Sequence, residues 1–156
     1  MRKKKVKDMN VAMNTPLIGT RDFRNNLADY LKQVYDKNQV LRVGKSNRPE
    51  ESAMVVSSAI LGKLVENATF HTEIYFDKET NQYVAAVAEF NGDGVGDTRQ
   101  EAIEMALDNV ESLVEGFFSD VDWYLRSPKH RQLLPQYIKL KLAESREQFT
   151  DILGLR

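Results

Sequence analysis

The sequence predicts an α+β protein built from two small units and a helical tail. Three observations carry that expectation. Apolar residues alternate in short runs early in each half, as in "FHTEIYF", where Phe70, Ile74 and Phe76 alternate with His71, Glu73 and Tyr75. They recur at helical spacing in "DTRQEAIEMALDNVESLVEGFF". Charge is also divided: residues 1–48 carry 12 Lys/Arg against 4 Asp/Glu, and residues 49–156 carry 10 against 19. A basic head on an acidic body points to a nucleic-acid-facing end and a separate task for the rest.

Taken in order, residues 1–14 are polar and basic without periodicity and read as a flexible arm. "PLIG" is a short strand. Thr20 is placed to cap a first helix over about residues 21–37, whose apolar face is Phe23, Leu27, Tyr30, Leu31 and Val34. Arg21 and Arg24 then crowd a helix N-terminus that is already positive, a mismatch that an outside anion would relieve. "QVLRVG" and "SAMVVS" form an antiparallel hairpin around the turn "KSNRPEE", and "SSAILGKLVEN" is a short helix opening on a serine cap. In the second unit, "FHTEIYF" and "YVAAVAEF" pair through "DKETNQ", and "NGDGVG" is a loop. The long helix that follows has the capping-box pair Thr98 and Glu101, with Ala102, Ile103, Ala106, Leu107, Val110, Leu113, Val114 and Phe117 as its apolar stripe. Pro128 interrupts the tail and Pro135 opens a last helix with Ile138, Leu142, Phe149 and Ile152 on one side. The tail's apolar residues either cover the second unit or meet a partner. The expected boundaries are 1–14 for the arm, 15–67 and 68–118 for the two units, and 119–156 for the helical extension.

The chemistry favours binding over catalysis. There is no cysteine, so disulfides, thiolate metal sites and cysteine nucleophiles are excluded, in keeping with a reducing cytoplasm. No run of residues reads as a membrane span or a secretory signal. Nucleophile elbows, phosphate loops and dinucleotide fingerprints are absent. Glu89, Asp93, Asp97 and Glu101 flank one loop and could serve a metal-dependent hydrolase, but capping and turn chemistry explain them, and no metal or other cofactor is expected. The candidate DNA contacts are Arg21, Arg24 and Asn25 for base edges, Lys45, Asn47 and Arg48 for phosphates, and Arg2, Lys3, Lys4, Lys5 and Lys7 for salt-dependent affinity without a base code.

"TRDFRNNLADYLKQV", with Arg24, Asn26 and Leu27 early in the helix, together with the hairpin "VLRVGKSNRPEESAMVVS", resembles the Phd/YefM antitoxins over about residues 15–66. "YVAAVAEF" and "GDTRQEAI" (Gly96, Asp97, Thr98, Glu101, Ala102) resemble the antitoxin domain of HicB-like proteins over about residues 70–118. The resemblance implies a non-enzymatic antitoxin of a type II toxin–antitoxin system. Such a protein binds operator DNA as a homodimer or higher oligomer, represses its own operon, and neutralises a cognate toxin by direct contact in the cytoplasm. A solitary DNA-binding regulator without a toxin is the alternative.

Overall fold

The structure is a computed structural model and describes residues 15–156. It is an α+β fold with two three-stranded sheets and, among the described residues, eight helices. The chain divides into two compact units, the first ending at Ile60 and the second running from Leu61 to Arg156.

Unit 1 begins with β1 (Leu17–Gly19), α1 (Thr20–Asn25) and α2 (Leu27–Lys37). The expected single helix is therefore two, and Thr20 lies inside α1 rather than capping it; Gly19 takes the cap position. The break falls at Asn26, with φ −120° and ψ 29°. Its cause is a side-chain latch. Asn26 Nδ2 donates to the Asp22 carboxylate at 2.8 Å, and the Tyr30 hydroxyl donates to the other oxygen of Asp22 at 2.6 Å. That carboxylate holds the Tyr30 phenol above its ordinary pKa. Short polar side chains bonding to nearby groups compete with continuous helix, which is what this latch does. The break corrects the charge argument for Arg24, while Arg21 stays in the first turn of α1 beside Asp22. Arg24 lies in the last turn of α1, where a cation suits the helix dipole, and Asp29 occupies the first turn of α2.

β2 (Leu41–Lys45) pairs in parallel with β1 and antiparallel with β3 (Arg48–Val55), giving the order β1-β2-β3. Asn38, at φ 49°, ends α2 and turns the chain into this hairpin. The hairpin turn is shorter than expected, because Arg48 through Glu51 belong to β3. A bulge absorbs them: Gly44 faces Ser52 while Lys45 faces Arg48. Arg42 holds the bulge, donating from Nε to Ser52 Oγ at 3.0 Å and from its guanidinium to the Pro49 carbonyl at 2.7 Å. The core of unit 1 is small: Val34, Leu41 and Val43 are buried, with Ile18, Phe23, Tyr30 and Val55 against them. Leu27, expected in that face, is 44% exposed. α3 (Ser58–Leu64) follows, with Ser57 Oγ accepting from the Ile60 N–H at 3.3 Å as the expected serine cap.

Unit 2 holds β4 (Thr72–Asp77), β5 (Gln82–Val87) and β6 (Gly94–Gly96), antiparallel in the order β4-β5-β6. β6 overturns the reading of "NGDGVG" as a loop throughout. Its glycines serve close approach. A Cβ on Gly94 would lie 2.1 Å from the Ala102 carbonyl and 2.2 Å from the Ala106 nitrogen; one on Gly96 would lie 2.5 Å from Glu101 Cβ. Helix α4 (Arg99–Ser119) thus rests directly on the strand backbone. Its start is the expected capping box: Thr98 Oγ1 accepts from the Glu101 N–H, and Glu101 Oε2 accepts from the Thr98 N–H, each at 3.2 Å. Seven of the eight stripe residues are buried, with Leu113 partly so.

The tail forms α5 (Val121–Tyr124), α6 (Pro128–Gln132), α7 (Leu134–Lys141) and α8 (Arg146–Leu153). The single last helix expected after Pro135 is thus α7 and α8, the latter capped by Ser145, whose Oγ accepts from the Gln148 N–H at 3.1 Å. Tyr137, Leu140, Phe149, Leu153 and Leu155 enter the same core as α4 and β5, so the tail's apolar side is spent largely within unit 2. Trp123 is the exception, 57% exposed. Arg146 ties α8 to α4 from outside, reaching Glu104 at 3.0 Å, Asp108 at 2.7 Å and Glu111 at 2.7 Å.

Candidate nucleic-acid interface

The candidate residues in unit 1 fall into two groups that the fold brings close together. Arg21, Arg24 and Asn25 are all exposed on α1 and, among the described residues, make no hydrogen bond or ion pair. α1 lies beside β1 and β2 with Phe23 against the unit 1 core, and the Asp22 latch and the stacking of Phe23 on Tyr30 at 5.7 Å tie it to α2. At the other end, Lys45 closes β2, Asn47 sits in the turn and Arg48 opens β3. The hairpin turn comes up beside the start of α1: Gly19 pairs with Gly44, and a Cβ on Gly19 would stand 3.4 Å from Ser46 Oγ. The start of α1 and the hairpin tip are therefore neighbours within unit 1.

Sequence reasoning missed the residue that organises the tip. Glu51 accepts from Lys45 Nζ at 2.6 Å and from the Arg48 guanidinium at 2.9 Å. Those two bonds hold the Glu51 carboxyl below the ordinary glutamate pKa. The signal was present in the acids of "RPEE", but only the bulge carries Glu51 back between the two cations. The arm residues Arg2, Lys3, Lys4, Lys5 and Lys7 lie outside the described residues.

The acids of unit 2 are occupied by other work. Glu89 accepts the His71 backbone N–H with both oxygens, at 2.9 and 3.0 Å, and meets His71 Nδ1 at 2.6 Å. Asp97 accepts from Gln82 Nε2 at 3.2 Å, and Glu101 serves the capping box. Among the described residues no three of His, Cys, Asp or Glu converge as a metal site would require. Burial raises the Glu89 pKa, but the bonds from His71 outweigh it and leave the carboxyl below its ordinary range. A depressed folded pKa stabilises the fold above the unfolded pKa, and that contribution is lost as pH falls through the folded value. Glu89→Ala is accordingly expected to cost about 1.5–3 kcal/mol at pH 7. It should also flatten the acid side of the stability profile, and urea unfolding followed between pH 3 and 7 measures both.

The class is settled by comparison: a family model described as "Antitoxin of toxin-antitoxin, RelE / RelB, TA system" matches residues 17–154, and the chain belongs to this PHD-like antitoxin family. A crystal structure of an antitoxin part of a putative toxin/antitoxin system from Syntrophomonas wolfei subsp. wolfei has a similar fold, with a TM-score of 0.67 and 16% identity. That likeness covers 88% of this chain and 96% of the other. No curated protein matches the sequence. No helix among the described residues is long and apolar enough to cross a membrane.

Proposed function

We propose that this antitoxin binds operator DNA as a dimer through residues 15–67, represses its own operon, and neutralises a cognate toxin by direct contact in the cytoplasm, with no catalysis of its own. The first unit corresponds in this reading to a Phd/YefM-type head, residues 68–118 to a HicB-like domain, and residues 119–156 to its helical extension. The observation that carries the DNA part is the set Arg21, Arg24 and Asn25, unpartnered among the described residues, on a short helix tied to α2 by the Asp22 latch and near the hairpin tip. Arginine forks suit guanine edges and asparagine suits adenine. Lys45, Asn47 and Arg48 would set register on phosphates, and the arm would add affinity of any sequence. The dimer is supported by what unit 1 leaves bare. Leu27, Tyr35, Val40 and Met54 are 36–66% exposed around a core of three buried side chains. Units this small are marginal alone.

Arg24→Ala is expected to weaken operator binding by about 1–3 kcal/mol and to relax sequence preference. Lys4→Ala should weaken all DNA about equally and reduce the slope of log affinity against log salt by about one unit. Salt titrations on the upstream operon region and on scrambled DNA separate the two. Because Arg24 suits its helix end, the variant should melt at or slightly below the parent. Parent-like operator affinity in Arg24→Ala would overturn the DNA reading of α1.

A further inference from the structure

The two edges of the unit 2 sheet are finished differently. Along β6, side chains of α4 occupy backbone groups that face away from β5. Asn109 Nδ2 donates to the Asp93 carbonyl at 2.8 Å, the Val95 N–H points at Met105 Sδ at 3.4 Å, and the Asp97 N–H donates to Glu101 Oε2 at 3.0 Å. Residues 101, 105 and 109 recur every fourth position and so share one flank of the helix. That flank stands in for a neighbouring strand.

Among the described residues β4 has no such cover. The His71 carbonyl accepts from the Ala88 N–H at 3.0 Å, which fixes the alternation: odd-numbered residues exchange bonds with β5, and Thr72, Ile74 and Phe76 turn their N–H and C=O groups outward. Among the described residues these outward groups make no hydrogen bond. The strand spans roughly 20 Å at the usual rise per residue. Tyr75 and Phe76 on it are 49% and 44% exposed. Proteins ordinarily pair, cover or blunt such an edge, and among the described residues only the opposite one has its outward backbone groups covered.

We infer that β4 receives an extended, positively charged segment of the toxin as an added strand. This rests on the toxin-binding reading above. Charge selects the occupant: unit 2, from Leu61 to Arg156, carries 17 Asp/Glu against 10 Lys/Arg, and Glu73, Asp77 and Glu79, with Lys78 among them, lie on β4 and its turn. A second copy pairing through its own β4 would set these acids against their equivalents, and nucleic acid is repelled by the same field. A cationic polypeptide gains main-chain bonds from Thr72, Ile74 and Phe76 and attraction from the acids.

The test is amide hydrogen exchange on the full chain, alone and in complex with the toxin co-expressed from the same operon. The Ile74 and Phe76 amides should become strongly protected in the complex, while Val95 does not change. Phe76→Pro removes one outward N–H without touching the β5 ladder and should weaken the complex about tenfold relative to Phe76→Ala, which loses the ring alone. A complex in which the Ile74 and Phe76 amides stay unprotected overturns this inference and leaves toxin binding intact. Protection of those amides in the free chain at raised concentration assigns the edge to a second copy and also overturns it. A chain that forms no complex with that toxin overturns both readings.

Discussion

Gly94→Ala is expected to unfold the second unit or to cost at least the upper end of the usual overpacking range of about 1–3 kcal/mol. The added methyl has no flexible neighbour to push aside. It would stand 2.1 Å from the Ala102 carbonyl and 2.2 Å from the Ala106 nitrogen, both backbone atoms of α4. Relief requires the helix to lift from β6, and lifting it uncovers Ala102, Ala106 and Ile103, which are at most 3% exposed. Gly62→Ala is the control, since nothing lies within 4 Å of the methyl it adds. Thermal melts of the two variants should differ widely, and a Gly94→Ala melt equal to the parent would show that α4 does not rest on β6 as described.

Tyr137→Ala should cost about 3–5 kcal/mol. Tyr137 is 1% exposed, stacks on Phe117 with centroids 3.9 Å apart, meets Phe90 edge-on at 5.0 Å, and bonds through its hydroxyl to His130 Nδ1 at 2.9 Å. With Leu140 it joins α7 to the α4 core. Burial, helped by Tyr124, pushes its phenol up to about 12. A folded pKa above the unfolded one gives stability that is complete below about pH 10 and declines by about 1.4 kcal/mol per pH unit as pH rises toward the folded value. Tyr137→Phe keeps the stacking and should abolish that alkaline decline relative to the parent. Guanidinium unfolding at pH 7, 10 and 11 distinguishes the packing loss in the alanine variant from the titration effect in the phenylalanine one.

What could be read from the sequence was what neighbours along the chain decide. The α4 stripe and the Thr98–Glu101 box are local patterns, and the structure keeps both. The break at Asn26 escaped notice because Phe23, Leu27, Tyr30 and Val34 keep helical spacing across it; only the Asp22 latch interrupts the backbone. β6 escaped for the opposite reason. Glycine disfavours a strand locally, and its extended state there comes from pairing with β5 and from a helix pressing on it. At the candidate interface the residue types were legible in the sequence. The adjacency of α1 and the hairpin turn, and the Glu51 bridge, depend on a parallel pairing and a bulge that no short window displays.

The way the second core is closed has a consequence during synthesis. Unit 1 pairs Leu17 with Arg42 and Leu41 with Val55, all within the first part of the chain. Unit 2 instead brings Ala85 and Val87 together with Leu153 and Leu155. Contacts so distant in sequence form late, and domains nearer the N-terminus generally fold first on the ribosome. The strand pairings of the head can therefore form while the body still lacks the C-terminal residues that close its core. The body's core thus waits for Leu153 and Leu155, among the last residues of the chain, before it can close.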